Sequence, residues 1–456
     1  MLALLLACCF EFVNGFHDTA NAVATVIYTN TLRPVPAVIW SGLCNFAGVF
    51  FGGIAVALSI IYLLPTELLT HSNSGAGLAM VFALLLSAIL WNVGTWYLGL
   101  PSSSSHTLIG AILGVGLANG LGNGASLAQS VHWGKAAEIG LSLVISPVVG
   151  FVATAVLILL ARRFVRNPSL YLPPPDNTPP PLWIRGILVV TCSGVSFTHG
   201  SNDGQKGVGL IMLILIGLAP STFALNLETT PAALNNARAA LVDMRDGLEK
   251  HTEQADGAAK ALIAKALGEV GTLRAALGQH ASLRALDEKS RQQVRGSVLV
   301  LEETRKQLIA QQPTLFEKWD DAALKEQSLA LRALSEYAPT WVFLMVALSL
   351  GLGTMIGWKR IVVTVGERIG KQHLTYAQGA AAELVAMTTI GVAAFIGAPV
   401  STTHVLSSGI AGGMAAQRAG VQKGTVRKIL LAWVLTLPVS MALAAGLFVL
   451  LRWILD

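Results

Sequence analysis

Two acidic motifs, far apart in the chain, hold the residues with the clearest chemical potential. The first, NGFHDTAN, contains Asp18 and Asn21, and the second, HGSNDGQK, contains Asn202 and Asp203. Both motifs lie in apolar stretches, and carboxylates embedded in a membrane usually mark an ion pathway or a proton relay. We therefore predict that Asp18 and Asp203 bind a coupling ion and do not serve helix packing alone.

Two motifs rich in serine and threonine follow the acidic motifs in the same order. They are LPSSSSHTLIGAILG at residues 100–114 and APVSTTHVLSSGIAG at residues 398–412. In each, a proline breaks one helix, and hydroxyl side chains cap a helix expected to resume at Leu108 or Val405. Hydroxyls, free N–H groups and the positive end of a helix together suit a tetrahedral oxyanion. The alternative is a pair of ordinary helix caps near the surface.

The composition is that of a membrane protein. Of 456 residues, 53% are hydrophobic and only 12% are charged. A soluble domain usually carries about twice that charge. Apolar runs long enough to cross a bilayer recur at residues 37–62, 78–100, 139–160, 341–358 and 430–451. We predict an all-α, polytopic protein of the inner (plasma) membrane.

The order and spacing of the four motifs indicate two copies of one unit. Each acidic motif precedes a hydroxyl motif at a similar distance once an insertion in the second copy is removed. We predict a first membrane repeat at 1–161, a Pro-rich cytoplasmic linker at 162–185, and a second repeat at 186–224 and 338–456. The segment 225–337 is predicted to be a soluble helical insertion, with a spacer or stabilising role as the simplest interpretation.

The basic residues predict how the repeats are oriented. Bases near the ends of spans stay cytoplasmic, and here they cluster around Arg33, Arg163, Arg360 and Arg427. With those loops inside, the two repeats run in opposite directions, which is an inverted-topology repeat with broken or re-entrant helices, common in secondary transporters. The insertion then lies outside the cytoplasm, in the periplasm where an outer membrane exists. The +6 net charge comes from the membrane part, so it does not indicate nucleic-acid binding.

The four motifs together resemble the signatures of the PiT family of inorganic phosphate transporters, in particular its low-affinity PitA type from Gram-negative bacteria. The matching segments are NGFHDTANAVATVIYTNTLRP, GLPSSSSHTLIGAILG, FTHGSNDGQKGVGL and GAPVSTTHVLSSGIAGG. The resemblance implies secondary active uptake of phosphate by alternating access, coupled to protons or to sodium. For the bacterial type it also implies that phosphate travels as a neutral complex with a divalent metal, which makes that metal cargo; we predict no cofactor and no resident metal site.

The resemblance implies the Asp-Asn and Ser/Thr residues of the site, and the embedded charges and motif histidines add the rest. The predicted substrate-binding residues are Asn21, Ser102, Ser103, Ser104, Ser105, Thr107, Asn202, Ser401, Thr402 and Thr403. The predicted coupling residues are Asp18, Asp203, Lys206, Glu383, His17, His106 and His404. Histidine can exchange a proton near physiological pH, although a lone histidine is usually a packing residue. Glu383 and Glu11, the other two embedded acids, are equally compatible with packing and with a pathway role.

Two departures from the sodium-coupled members favour protons. Lys206 replaces an Asn of the second acidic motif, and Asn45 stands where those relatives carry Glu. The Lys206 ammonium could take the place of a bound cation, contact phosphate, or extend toward the membrane interface. We therefore predict a proton symporter, with a sodium-coupled phosphate symporter or a sulfate permease of the same family as alternatives. An anion channel fits inverted repeats less well, no enzymatic nucleophile–base pair is indicated, and a homo-oligomer is compatible with the sequence.

Overall fold

Helices form all the regular structure that the computed structural model describes, which is residues 1–61, 75–124, 126–128, 130–131, 133–175, 178–278, 280–311 and 321–455. Within those ranges eight helices are long and apolar enough to cross a membrane, or nine if one bent pair counts as a span. The predicted all-α polytopic class is confirmed. The chain divides into a unit formed by Met1–Ile214 with Pro339–Asp456 and a second unit formed by Leu215–Ala338.

The first acidic motif ends one helix and begins the next. Helix α1 (Leu2–Asp18) and helix α2 (Ala20–Tyr28) are separated by Thr19 alone. The Thr19 hydroxyl donates to the carbonyls of Gly15 and Thr354, at 2.6 and 2.9 Å. The two helices therefore form one nearly continuous span with Asp18 at the junction.

Two of the predicted apolar runs are broken by glycine. The run at 37–62 contains helix α3 (Pro34–Phe51), which stops before Gly53 (φ 79°), and helix α4 (Ala55–Ile61). A left-handed backbone suits glycine and ends a helix. Residue 62 lies outside the described residues. The run at 341–358 contains α14 (Thr340–Met355), which is bent by 64° from α15 (Lys359–Glu367) across Gly357.

Each hydroxyl motif forms a helical hairpin. Helices α5 (Gly75–Tyr97) and α6 (Ser104–Gly122) form hairpin 1, whose tip is residues 98–105. Helices α16 (Tyr376–Ile396) and α17 (Thr402–Ala416) form hairpin 2, whose tip is residues 397–403. The second helix of each hairpin begins one turn before the predicted Leu108 or Val405, so that prediction was wrong. The reason is that the hydroxyls of Ser103 and Ser401 cap the earlier turn, each accepting from a backbone N–H at 3.2 Å.

The two repeats exchange their packing partners. The remaining spans are α7 (Trp133–Phe164), α8 (Leu182–Leu218) and α18 (Lys423–Leu455). Helix α6 of hairpin 1 packs on α18 of the second repeat, and α17 of hairpin 2 packs on α7 of the first. Two of the glycines make this approach close, because a Cβ at Gly114 would lie 2.1 Å from the Met441 carbonyl and one at Gly412 would lie 2.2 Å from the Phe151 carbonyl. The reciprocal arrangement agrees with two copies of one unit, while their opposite orientation in the membrane stays a prediction.

The second unit has a hydrophobic core of its own. It contains α9 (Pro220–Phe223), α10 (Pro231–Thr252), α11 (Gly257–Leu277), α12 (Glu288–Gln311) and α13 (Asp321–Arg332). Leu241, Ile263 and Val298 lie in its buried cluster. The amphipathic patterns therefore form a packed helical body, while the bounds 225–337 and the position of the insertion outside the cytoplasm stay predictions. In the Pro-rich linker predicted at 162–185, α7 continues to Phe164 and α8 begins at Leu182, and residues 176–177 lie outside the described part.

Candidate functional site

The two predicted acids meet at the tip of hairpin 1. Ser104 donates to the Oδ2 atom of Asp18 at 3.2 Å and to the Oδ2 atom of Asp203 at 3.4 Å. Asp18 stands at the end of α1 and Asp203 in the middle of α8, and their exposed fractions are 2% and 1%. One hydroxyl therefore joins the carboxylates of both repeats.

The hydroxyls at the tip of hairpin 2 also donate to the Asp18 carboxylate. Thr403 donates to the Oδ1 atom of Asp18 at 2.5 Å, and Thr402 donates to its Oδ2 atom at 3.4 Å. Asn21, one turn beyond Asp18, donates to the Oδ1 atom of Asp18 at 3.2 Å and to Thr403 at 3.0 Å. The hydroxyls of both hairpins thus converge on Asp18.

The Lys206 ammonium lies between the two tips. It donates to the Oδ1 atom of Asp203 and to the Ser105 hydroxyl, each at 2.5 Å, and it is 3.5 Å from the Val400 carbonyl. Ser105 in turn donates to that carbonyl at 3.0 Å, so the hairpins contact each other directly. The lysine is 2% exposed. Its side chain therefore does not extend toward the membrane interface, which was one of the three alternatives that the sequence left open.

His199, one of the four motif histidines, lies in the site although it is absent from the predicted coupling set. Its Nε2 atom lies 3.5 Å from Asp18 Oδ2 and 3.4 Å from Asp203 Oδ2, and its Nδ1 atom is 2.8 Å from the Asn45 side-chain oxygen. The available signal was its spacing of four residues from Asp203, which places both on one helix face. Asp18, His199 and Asp203 each offer a ligand atom, and these atoms lie within 4.8 Å of one another.

That trio has the donors that a divalent cation accepts, namely two carboxylates and one imidazole. Local spacing in the sequence could not reveal it, since the ligands come from two helices that are distant in the chain. The set fits a cation that arrives with the substrate as well as one that is resident. The prediction of no resident metal therefore stays a prediction.

The three other predicted histidines take different positions. His17 lies 3.2 Å from the Thr95 hydroxyl and 3.6 Å from Asp18 Oδ1, at the edge of the acidic pair. His106 and His404 face each other with ring centroids 4.6 Å apart, and His404 stacks on Trp433 at 3.9 Å. Of the three, His17 is the one that contacts a predicted coupling acid.

Several predicted residues support the hairpins and do not point into the cluster. Ser103 and Ser401 are caps, Ser102 lies 2.9 Å from Thr95, and Asn202 donates to the Ala398 carbonyl at 3.2 Å. Thr107 donates to the Asn92 side chain at 3.0 Å. The predicted substrate-binding set therefore divides into residues that line the acidic cluster and residues that shape the tips.

Glu383 lies apart from the other predicted coupling residues. It is fully buried in α16, where it accepts from the hydroxyl of Thr25 on α2 and from that of Thr191 on α8, the latter at 2.5 Å. These contacts join three helices of the membrane unit. Its predicted coupling role is neither supported nor contradicted by this position.

Comparisons with known proteins establish the family. The family model described as "Phosphate transporter family" matches residues 14–444. The chain belongs to that family. It is 42% identical to the low-affinity inorganic phosphate transporter PitB of Escherichia coli K12 over 480 residues, covering 98% of this chain and 95% of the relative. It is 29% identical to a probable low-affinity inorganic phosphate transporter of Bacillus subtilis, covering 100% and 97%.

A solved structure titled "The sodium-dependent phosphate transporter" shares the fold. Its TM-score is 0.56 at 18% sequence identity, and the match covers 100% of both chains. At that identity the likeness concerns the fold alone. The family consists of transporters and not of enzymes, so the predicted class and the resemblance that the motifs carried are confirmed.

Proposed function

We propose that this protein takes up inorganic phosphate together with protons by alternating access, with phosphate held between the two hairpin tips beside Asp18 and Asp203. Membership of the phosphate transporter family supports the substrate. The convergence of two hydroxyl-rich tips on two buried acids supports the location. The buried ion pair between Lys206 and Asp203 is the observation that carries the choice of proton over sodium.

The tips have the donors that a tetrahedral oxyanion needs. Ser104, Ser105, Thr402 and Thr403 bring four hydroxyls together, and helices α6 and α17 begin there with their positive ends. In the present arrangement the hydroxyls of Ser104, Thr402 and Thr403 donate to Asp18 or Asp203, and the Ser105 hydroxyl donates to the Val400 carbonyl and accepts from Lys206. A bound phosphate would replace those bonds with bonds to its own oxygens.

The acids favour phosphate over sulfate. Phosphate keeps a proton near neutral pH, so it can donate a hydrogen bond to a carboxylate, whereas sulfate has no proton to donate. A carboxylate facing sulfate would be left with charge repulsion alone. If phosphate travels as a neutral metal complex, the atoms of Asp18, His199 and Asp203 are placed to face the metal as cargo. The complex as a whole has no net charge, so the Lys206 ammonium does not repel it as it would repel a free cation.

The arrangement is closed, which is why alternating access is proposed. Asp18, Asp203, Ser104, Thr403 and Lys206 are at most 3% exposed, and the tips contact each other through Ser105 and Val400. Phosphate can reach the acids only if the tips separate. Because each hairpin packs on the last helix of the other repeat, movement of one repeat relative to the other would open one tip while the other stays closed.

The lysine is the reason for proton coupling. Its ammonium occupies the position beside Asp203 that a sodium ion would need. Two unit charges about 4 Å apart repel each other by about 4 kcal/mol at an effective dielectric constant of about 20. Such a repulsion disfavours sodium binding at the Asp203 carboxylate. It does not disfavour a proton that binds at another group.

Labelled-phosphate uptake into proteoliposomes tests the proposal. Choline replaces sodium, and the pH gradient and magnesium are varied independently. We expect accumulation without sodium, its loss when a protonophore removes the pH gradient, and stronger competition by unlabelled phosphate than by sulfate. Strict sodium dependence would reject proton coupling, and equal competition by sulfate would reject the assigned substrate preference.

A further inference from the structure

One embedded acid, Glu11 in α1, has no hydrogen-bond partner among the described residues. It is 0% exposed, and both of its carboxylate oxygens are unpaired. Asp18 and Asp203 accept hydrogen bonds from hairpin hydroxyls, and Glu383 accepts them from two threonines. The proposed function uses none of the atoms of Glu11, so its position needs a physical reason of its own.

The Glu11 carboxyl lies against the turn of α8 that carries the coupling pair. A Cβ added at Gly207 would lie 2.5 Å from the Cδ atom of Glu11 and 2.6 Å from its Oε1 atom. Gly207 directly follows Lys206 and stands one turn beyond Asp203. The absence of a side chain at Gly207 therefore provides the space that the carboxyl fills.

A buried polar line connects Glu11 to the hairpin tips. Glu11, Asn14, Asp18 and Asn21 follow one face of α1 and α2 at helical spacing, and each is at most 2% exposed. Asn14, one turn along α1, interacts with the Glu11 carboxyl as a hydrogen-bond donor, but neither carboxylate oxygen has a bond of normal geometry. The line ends where Asn21 binds Thr403.

The charged groups that face Glu11 come from α8. They are Asp203, Lys206 and His199. Helices α5 and α14, which also pack on α1, contain no acid, lysine, arginine or histidine. The Lys206 ammonium is already paired with Asp203 and Ser105, and the His199 Nε2 atom lies between Asp18 and Asp203. Among the described residues, no basic side chain is therefore left to pair with an ionised Glu11.

An ionised carboxylate without a partner is very costly in a low-dielectric interior, whereas its neutral acid form costs much less. We propose that Glu11 carries one of the transported protons. It holds the proton in this closed packing, accepts it from the outer aqueous phase, and releases it to the cytoplasmic phase when the contact with Gly207 opens to water. The inference rests on the proton symport proposed above and adds a named carrier to it.

The test separates phosphate movement from proton movement, using the purified full chain in proteoliposomes. Exchange of labelled external phosphate for unlabelled internal phosphate needs no net proton transfer, whereas accumulation driven by a pH gradient does. We expect Glu11→Gln to retain exchange and to lose accumulation. We also expect exchange by the unmodified protein to decline as pH rises and exchange by this variant not to decline. A trapped pH dye should report fewer protons per phosphate in the variant.

Two further variants make the outcome decisive. Glu11→Asp keeps an ionisable group, so it should recover part of the accumulation with a shifted pH profile. Glu302→Gln removes a buried acid from the second unit, where Ser328 donates to it at 2.5 Å, and should leave uptake unchanged. Normal accumulation and a normal proton count in Glu11→Gln would overturn the inference. Equal loss of exchange and accumulation in both Glu11 variants would also overturn it, because such a loss indicates a structural role for Glu11.

A spectroscopic measurement covers the remaining cases. The infrared carbonyl band of a protonated carboxylic acid in the unmodified protein should change on phosphate addition and should be altered in Glu11→Asp. If the unmodified protein is not driven by a pH gradient, the proposed coupling fails, and this band still decides whether Glu11 gains and loses a proton. A band that is insensitive to phosphate and to the Glu11 variant would overturn the inference even if Glu11→Gln does not fold.

Discussion

At the scale of single residues, the site depends on a buried charge pair whose two members cannot be changed separately at low cost. Lys206 and Asp203 are both at most 2% exposed and 2.5 Å apart. Removing one partner of a buried pair typically costs about 3–5 kcal/mol, because the other charge is left uncompensated.

We therefore expect Lys206→Met to lower the melting temperature in detergent and Lys206→Met with Asp203→Asn to recover most of that loss. Uptake should be absent in both variants. The single variant leaves Asp203 without its partner, and the double variant lacks the acid. Circular dichroism melting and proteoliposome uptake measure the two effects. Melting of the double variant at or below that of the single variant would show that the pair does not contribute to stability in this way.

The Ser104 hydroxyl is the second residue whose loss should have a specific effect. It bonds to both acids and stands where phosphate is proposed to bind. Each hydrogen bond to a charged group is worth roughly 1.5–3 kcal/mol, so Ser104→Ala should weaken phosphate binding by about tenfold or more. Ser146→Ala is the matched control, because that buried hydroxyl bonds to Leu143 in its own helix at 3.1 Å. Equal phosphate affinity in the two variants would place the site elsewhere.

The sequence predicts as site residues those that occur twice, and the structure brings these residues together. Asp18, Asp203 and the hydroxyl clusters stand out in the sequence because polar motifs that repeat in apolar surroundings usually mark an ion pathway. His199 and Glu11 occur once in the repeated pattern, so their roles depend on which helices meet. The separation of Glu383 from the acidic pair likewise depends on tertiary packing, which spacing along one helix does not contain.

At the scale of helices, local chemistry predicted the breaks better than the ends. The prolines of both hairpins marked broken helices correctly, because proline cannot continue a helix. The ends were set by Gly99 and Gly397, whose φ angles are 68° and 75°, and by the caps Ser103 and Ser401. With several consecutive hydroxyl residues in each tip, the sequence could not show which one acts as the cap.

The contact between each hairpin and the opposite repeat should be sensitive to a single methyl group. Gly114→Ala and Gly412→Ala place a Cβ within 2.1 and 2.2 Å of a partner-helix carbonyl, whereas a Cβ at Gly140 or Gly446 meets no atom within 4 Å. Overpacking of this kind typically costs about 1–3 kcal/mol. We expect the first two variants to melt at lower temperature and to transport more slowly, and Gly140→Ala and Gly446→Ala to be neutral or slightly stabilised. Four equivalent melting curves would contradict the reciprocal packing.

At the scale of the whole molecule, the structure separates a unit that holds the membrane helices from a helical unit formed by Leu215–Ala338. The division of the first unit into two repeats is predicted because motif order is preserved along the chain. The core of the second unit, which includes Leu241, Ile263 and Val298, explains its amphipathic patterns without assigning it a chemical role. The side of the membrane on which the second unit lies is predicted from the loop charges alone. Locating that unit experimentally is therefore the most direct test of the predicted topology.

We predict that the insertion lies outside the cytoplasm, because the basic loops of the membrane unit favour the inside. A cysteine at Gln254, an exposed residue in the turn between α10 and α11, should react with a membrane-impermeant thiol reagent added to whole cells. A cysteine at Lys371, an exposed residue in a predicted cytoplasmic loop, should react only after the inner membrane is opened. Both are placed in a chain whose four native cysteines are replaced, since Cys9 is itself exposed. Long domains can cross the membrane despite their charge, so the reverse labelling pattern would invert the orientation of both repeats while leaving the assigned site intact.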